Sequence, residues 1–203
     1  MSPDRSIDLG AGFADPVRDA QECFRAIMSA FAQPGTIVTL KRTPPVPAGL
    51  SEAMTSVALA LCDYETPVWL DAVLRTSRAV TDYLRLHTGS RTCEAPETAA
   101  FAFASSFHLL PELVSFAQGT LAFPDASTTI VLEVSELKPV AGWRLSGPGI
   151  EGHTPLGAGL LPPQFETALK ANRLLFPRGV DIILCCGDQL TALPRTTCIE
   201  PGS

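Results

Sequence analysis

Val180 to Cys186 reads VDIILCC, and only Asp181 in it is polar. A half-buried strand alternates apolar and polar side chains, so a stretch apolar on both pleat faces needs cover above and below. It therefore reads as a central strand between two layers. Gly187 and Asp188 suit a two-residue hairpin turn, which sends Leu190 to Pro194 back antiparallel beside it. A fold built on this hairpin is a layered sheet protein.

Helices and strands alternate through the rest of the chain. From Asp15 to Ala32 an N-capping acid and a first-turn proline precede Val17, Ala20, Phe24, Ile27, Met28 and Phe31 at helical spacing. Pro34 and Gly35 end that helix, Thr36 to Leu40 reads as a short strand, and Ser51 opens an almost wholly apolar helix to Cys62. Further strands are expected at Thr66 to Asp71, Ala99 to Ala104 and Thr128 to Val134, with Trp143 to Leu145 pairing beside the last. Helices are expected at Thr76 to His87, Pro111 to Phe116 and Gln164 to Leu174, the last after a Gly- and Pro-rich loop from Gly147 to Pro163. The fold class is α/β, a mixed β-sheet with helices on both faces. The 203 residues make one domain, with residues 1–12 as a flexible N-terminus.

Composition narrows the function classes. Charged residues make up 18% of the chain, against about 25% for an average domain. The mean hydropathy of +0.21 excludes disorder. Charge-free runs such as Thr98 to Pro111 are too short for the roughly 20 apolar residues of a spanning helix, so no membrane is expected. The net charge of -6 argues against nucleic acid. The start MSPDRSIDLG has no export signal, and the expected location is the cytoplasm. The six cysteines form no C-x-x-C pair and read as reduced thiols, mostly buried.

No local motif carries catalysis. His87, His108 and His153 are not spaced as metal ligands, and no nucleophile elbow occurs. Lys41, Lys138 and Lys170 sit in segments that read as exposed, which speaks against a Schiff-base cofactor; no cofactor is expected. Two weak ligand candidates remain. Gly157 and Gly159 stand before a helix, as in a phosphate loop, but lack its glycine and lysine pattern. Arg195 with Thr196 and Thr197 could grip an oxyanion, though pairing of Arg195 with Asp181 is the commoner arrangement. Asp71 and Asp181 could serve as acid or base, but capping of nearby backbone is the commoner use.

FADPVRDAQECFRAIMSAFAQPG from Phe13, TPVWL from Thr66, Gly119 and Thr120 with Pro124, GPGI from Gly147, and FPRGVDIILCCGDQLTALPRTT from Phe176 occur in that order. Together they resemble the PhnH family, a subunit of the carbon-phosphorus lyase system that degrades phosphonates. The resemblance implies a cytoplasmic core complex with three other protein types, two copies of each, and a homodimer when the subunit is isolated. It implies formation of alpha-D-ribose 1-alkylphosphonate 5-triphosphate from ATP and an alkylphosphonate by displacement of adenine. It also implies a fold like that of pyridoxal-phosphate-dependent transferases without the cofactor site. No catalytic residue carries over. Arg178 departs from the family, where the position between Pro177 and Gly179 is usually apolar. The expected role is an accessory, non-catalytic subunit; the alternative is a subunit that binds phosphonate or nucleotide and contributes directly to the transferase reaction.

The shortage of charge is local. From Thr98 to Leu132 only Glu112 and Asp125 are charged, and from Ser146 to Phe165 only Glu151. Both stretches read as docking surfaces, with Phe101, Phe103, Phe107, Leu160 and Leu161 as interface candidates.

Overall fold

A computed structural model describes residues 11–159 and 161–202, with the backbone alone at 141. The helices are α1 (Pro16–Ala32), α2 (Glu52–Leu61), α3 (Ala72–Thr76), α4 (Arg78–Thr88) and α5 (Pro163–Arg173). The strands are β1 (Val38–Thr39), β2 (Val68–Leu70), β3 (Thr92–Cys93), β4 (Phe101–Ala104), β5 (Thr129–Glu133), β6 (Leu137–Ser146), β7 (Thr154–Ala158), β8 (Asp181–Cys186), β9 (Gln189–Leu193) and β10 (Cys198–Pro201). Of the N-terminal stretch expected to be flexible, residues 1–10 lie outside the described residues. The Ala11 carbonyl accepts a hydrogen bond from the Tyr83 hydroxyl at 3.3 Å.

Seven strands form a mixed sheet in the order β1-β9-β8-β5-β4-β2-β3. From β8 to β3 all neighbours run parallel, while β9 is antiparallel to β8 and β1 to β9. As its sequence requires, β8 is flanked by β5 and β9, and Ile182 to Cys185 are buried. The turn Gly187-Asp188 closes the β8–β9 hairpin, with Cys186 opposite Gln189.

One face of the sheet carries Phe103, Val131, Ile183 and Cys185 against Ile27 of α1, Met54 and Val57 of α2, Leu74 of α3 and Leu84 of α4. The other carries Ile130, Leu132, Ile182 and Leu184 against Phe165 and Leu169 of α5. That second face is also covered by a three-stranded antiparallel sheet, β10-β6-β7, through Leu145, Leu156 and Ile199. Helices thus lie on both faces, but a second sheet was not expected. Trp143 to Leu145 pairs with β7 and β10, not with β5. Part of the expected 147–163 loop is the strand β7. Its glycines and proline hide strand character, and Pro155 and Pro201 are tolerated because β7 and β10 are edge strands.

Two local differences have clear causes. The helix expected over Thr76 to His87 is split at Ser77, which ends α3 and whose hydroxyl caps α4 by accepting from Val80. In α1 the buried positions are Asp19, Cys23, Ile27 and Ala30, so the inward face is rotated from the expected one. Val17, Phe24 and Met28 point outward.

Candidate functional site

In an open sheet with parallel strands, ligands bind at the carboxyl ends of the strands, near the point where strand order reverses. Here β2 connects to β3 through α3 and α4 on one face, while β4 connects to β5 across the other face, so the reversal lies between β2 and β4. Asp71, next after β2, and Ser105, next after β4, meet at this point. One Asp71 carboxylate oxygen caps α3 by accepting from Leu74 N–H at 2.8 Å, and the other accepts from the Ser105 N–H at 2.6 Å and hydroxyl at 2.7 Å. The buried carboxylate is thereby saturated as a cap, the commoner of its two readings.

Beside this point a cleft of about 350 Å³ opens over the ends of β4, β5 and β8. Ser105, Ser106, Phe107, Glu133, Val134, Ser135, Gly159, Leu161 and Cys186 line it. Glu133 terminates β5 on the same pleat face as Val131, and one carboxyl oxygen accepts from the Ser51 hydroxyl at 2.6 Å. Ser51 itself caps α2, accepting from Met54 N–H. Burial pushes the Glu133 carboxyl up to about 7; hydrogen bonds from Ser51 and the Gly187 backbone oppose the rise, and Glu52 adds to it. Burial likewise raises the Cys185 and Cys186 thiols, so neither is poised as a thiolate. All six cysteines are free, and among the described residues no group of three His, Cys, Asp or Glu could hold a metal.

Sequence reasoning did not single out Glu133. Its signal was a lone acid closing an otherwise apolar strand, TTIVLE, at the end where a parallel sheet opens to ligands. Of the residues it did single out, Gly159 lines the cleft, its N–H donating to the Glu136 carbonyl at 2.9 Å. A Cβ there would meet the Ser135 hydroxyl at 2.5 Å and the Glu136 Cβ at 3.1 Å, so a side chain at this position would have to displace Ser135. Gly157 is instead a ladder residue of β7 opposite Lys138, too constrained to cradle phosphate.

The Arg195 cluster is not an open anion site. Its Nε and Nη2 bind the Asp181 carboxylate at 3.1 and 2.5 Å, Nη1 donates to the carbonyls of Pro124 and Pro177 at 2.7 and 3.3 Å, and Nη2 also to Ser127 at 2.6 Å. All five N–H bonds are spent inside the protein, which corrects the ligand-binding expectation for Arg195. Thr197 is buried, its hydroxyl finding no partner among the described residues, and the Thr196 carbonyl accepts from Arg173. Phe103 is wholly buried against the helical face, so its side chain is core and not docking surface. Phe101 and Phe107 are half-buried, as is Leu161; Leu160 lies outside the described residues. The three lysines are exposed, with Lys138 paired to Glu136 and Lys170 to Glu166, and none lines the cleft.

The model of the bacterial phosphonate metabolism protein family PhnH matches residues 11–200. The chain belongs to this family. The PhnH subunit of alpha-D-ribose 1-methylphosphonate 5-triphosphate synthase from Rhizobium meliloti (strain 1021) is 41% identical over 203 residues, covering 98% of this chain and 99% of the relative. HtxG of Stutzerimonas stutzeri, named as a C-P lyase subunit protein, is 32% identical over 180 residues, 89% of this chain and 85% of the relative. The chain is thus a PhnH-family member along almost its whole length, and its motifs fall on structural joints. FPRG supplies the Pro177 carbonyl to Arg195, and GPGI forms the β6–β7 turn that packs on the end of α1.

Proposed function

We propose that the chain is a subunit of the complex that forms alpha-D-ribose 1-methylphosphonate 5-triphosphate in phosphonate catabolism, and that it acts in assembly, not in bond making. The observation that carries this reading is surplus apolar surface on a chain that matches a named subunit end to end. Leu121 and Leu174 are 77% and 84% exposed, with Phe123 and Phe176 also exposed beside them in sequence. The two segments are tied together, since Arg195 Nη1 reaches both Pro124 and Pro177 and the Gly179 N–H donates to Gln118. An apolar face of this kind suits a permanent partner. The outward stripe of Val17, Phe24 and Met28 on α1 offers a second.

The ligand-binding alternative has less support. The cleft lacks any Lys, Arg or His among its described lining residues, and Arg195 has no free donor. The cytoplasm, where the other subunits would be met, is the location that goes with this reading; among the described residues no helix is long and apolar enough to cross a membrane. A homodimer in isolation follows if the same apolar face self-associates. The sheet order, with β9 alone reversed between β1 and β8 and the other six strands running one way, supports derivation from a cofactor-binding transferase fold.

Co-expression with the other subunits and size-exclusion chromatography tests the assembly reading. Co-elution is expected; a chain that elutes by itself at low salt sinks it.

A further inference from the structure

We propose that the cleft over β4, β5 and β8 binds a neutral, hydroxyl-rich ligand the size of one sugar ring. Its position is the one where a parallel sheet receives ligands, because strand ends and their loops leave backbone and side-chain polar groups facing a crevice. Its lining then selects the chemistry. Ser106 and Ser135 bring hydroxyls that can donate and accept, Ser105, whose proton goes to Asp71, brings an accepting oxygen, and Glu133 brings a carboxyl. Phe107 and Leu161 supply apolar surface for the ring's C–H face. Gly159 leaves room that a side chain could take only by displacing the Ser135 hydroxyl.

Other ligand classes fit less well. A phosphonate or phosphate would face Glu133 with Glu136 close by, and no described lining residue is cationic. A metal ion would need a cluster of strong ligands that the described residues do not form. An organic cation would find one carboxyl that is only partly ionised at neutral pH, since burial lifts it to about 7. The volume, about 350 Å³, stands at the small end of ligand pockets, enough for a monosaccharide.

This inference does not rest on the assembly reading. A chain that joins the complex and leaves the cleft unused fails here and nowhere else.

Saturation-transfer NMR on the full-length protein, with D-ribose, methylphosphonate and choline as separate probes, decides it. Transfer to ribose is expected, with weak or no transfer to the other two. Ser135→Leu, at an exposed position, fills the cleft and is expected to weaken ribose binding about tenfold or more while the melting temperature holds. Gly159→Ala, which crowds Ser135 with a single methyl, guards against misfolding of the first variant and should weaken ribose in the same direction. No transfer to ribose, ribose binding unchanged in both variants, or preferential binding of methylphosphonate or choline at the cleft overturns the proposal.

Discussion

Arg195 and Glu133 show two ways a charge can be placed in a low-dielectric site. The guanidinium of Arg195, with its side chain 12% exposed, is matched donor for donor, and it ties the start of β8 to Pro124 and Pro177. Arg195→Met orphans the Asp181 carboxylate, and a loss of about 2–3 kcal/mol is expected. Urea unfolding measures it, and adding Asp181→Asn should recover part of the loss because the stranded charge is then removed. Glu133 is the opposite case, a carboxyl held up at about 7 by burial. Above its unfolded value near 4.5 and below 7, the native state holds a proton that the unfolded state has released, so stability falls as pH rises through this window and levels off above it. Glu133→Gln removes that slope. After discounting for solvent screening, the variant should gain on the order of 1–2 kcal/mol over the wild type at pH 8 relative to pH 4.5. Thermal melts at both pH values check this, and an unchanged difference between the two proteins refutes it. The Arg195–Asp181 pair was legible in sequence as one of two readings, since an arginine two strands' length from an acid has few other uses. Glu133 was not, because its burial depends on α2 and the Gly187 turn, which meet it only in three dimensions.

At the scale of elements, those with strong local signals are where the sequence puts them. Asp15 caps α1 through Arg18 N–H, and Ser51 caps α2. The β8–β9 hairpin needs only its apolar run and its turn. The smaller sheet was hidden because β6, β7 and β10 are held by each other and by α5, not by local periodicity. Its connection to α1 runs through the GPGI turn. Gly149 has φ +81°, and a Cβ there would lie 2.2 Å from the Ala32 carbonyl at the end of α1, whereas Gly152 has φ +68° with open space around it. Both glycines avoid left-handed strain, but only Gly149 also avoids a collision. Gly149→Ala should therefore cost roughly 3 kcal/mol, and Gly152→Ala about 1 kcal/mol. Equal melting temperatures for the two variants would falsify the docking role given to this turn.

For the molecule as a whole, the two sheet faces are already satisfied by α1, α2, α3 and α4 on one side and by α5 with the small sheet on the other. Leu121, Phe123, Leu174 and Phe176 are left over, outside both cores. The charge-poor stretch 98–132 foretold this in part: much of it, including Phe103 and Ile130, is core, and its exposed share includes Val114, Leu121 and Phe123. Sequence could not divide core from surface there, because both are apolar and only the fold decides which is covered. Replacing Leu121 and Leu174 with lysine removes apolar contact and adds charge where both side chains meet water. In the free chain the melting temperature should stay within about 2 °C, as expected for surface changes. In the assembly each lysine would be desolvated without a partner, which costs several kcal/mol and should weaken association by more than about a hundredfold. Val17→Lys on α1 serves as the comparison, since it alters the other exposed apolar stripe in the same way. Loss of co-elution in the first variant alone assigns the docking face to the Leu121 and Leu174 side, and loss in Val17→Lys alone assigns it to α1. If both variants co-elute with the other subunits as the wild type does, neither apolar face holds the complex together.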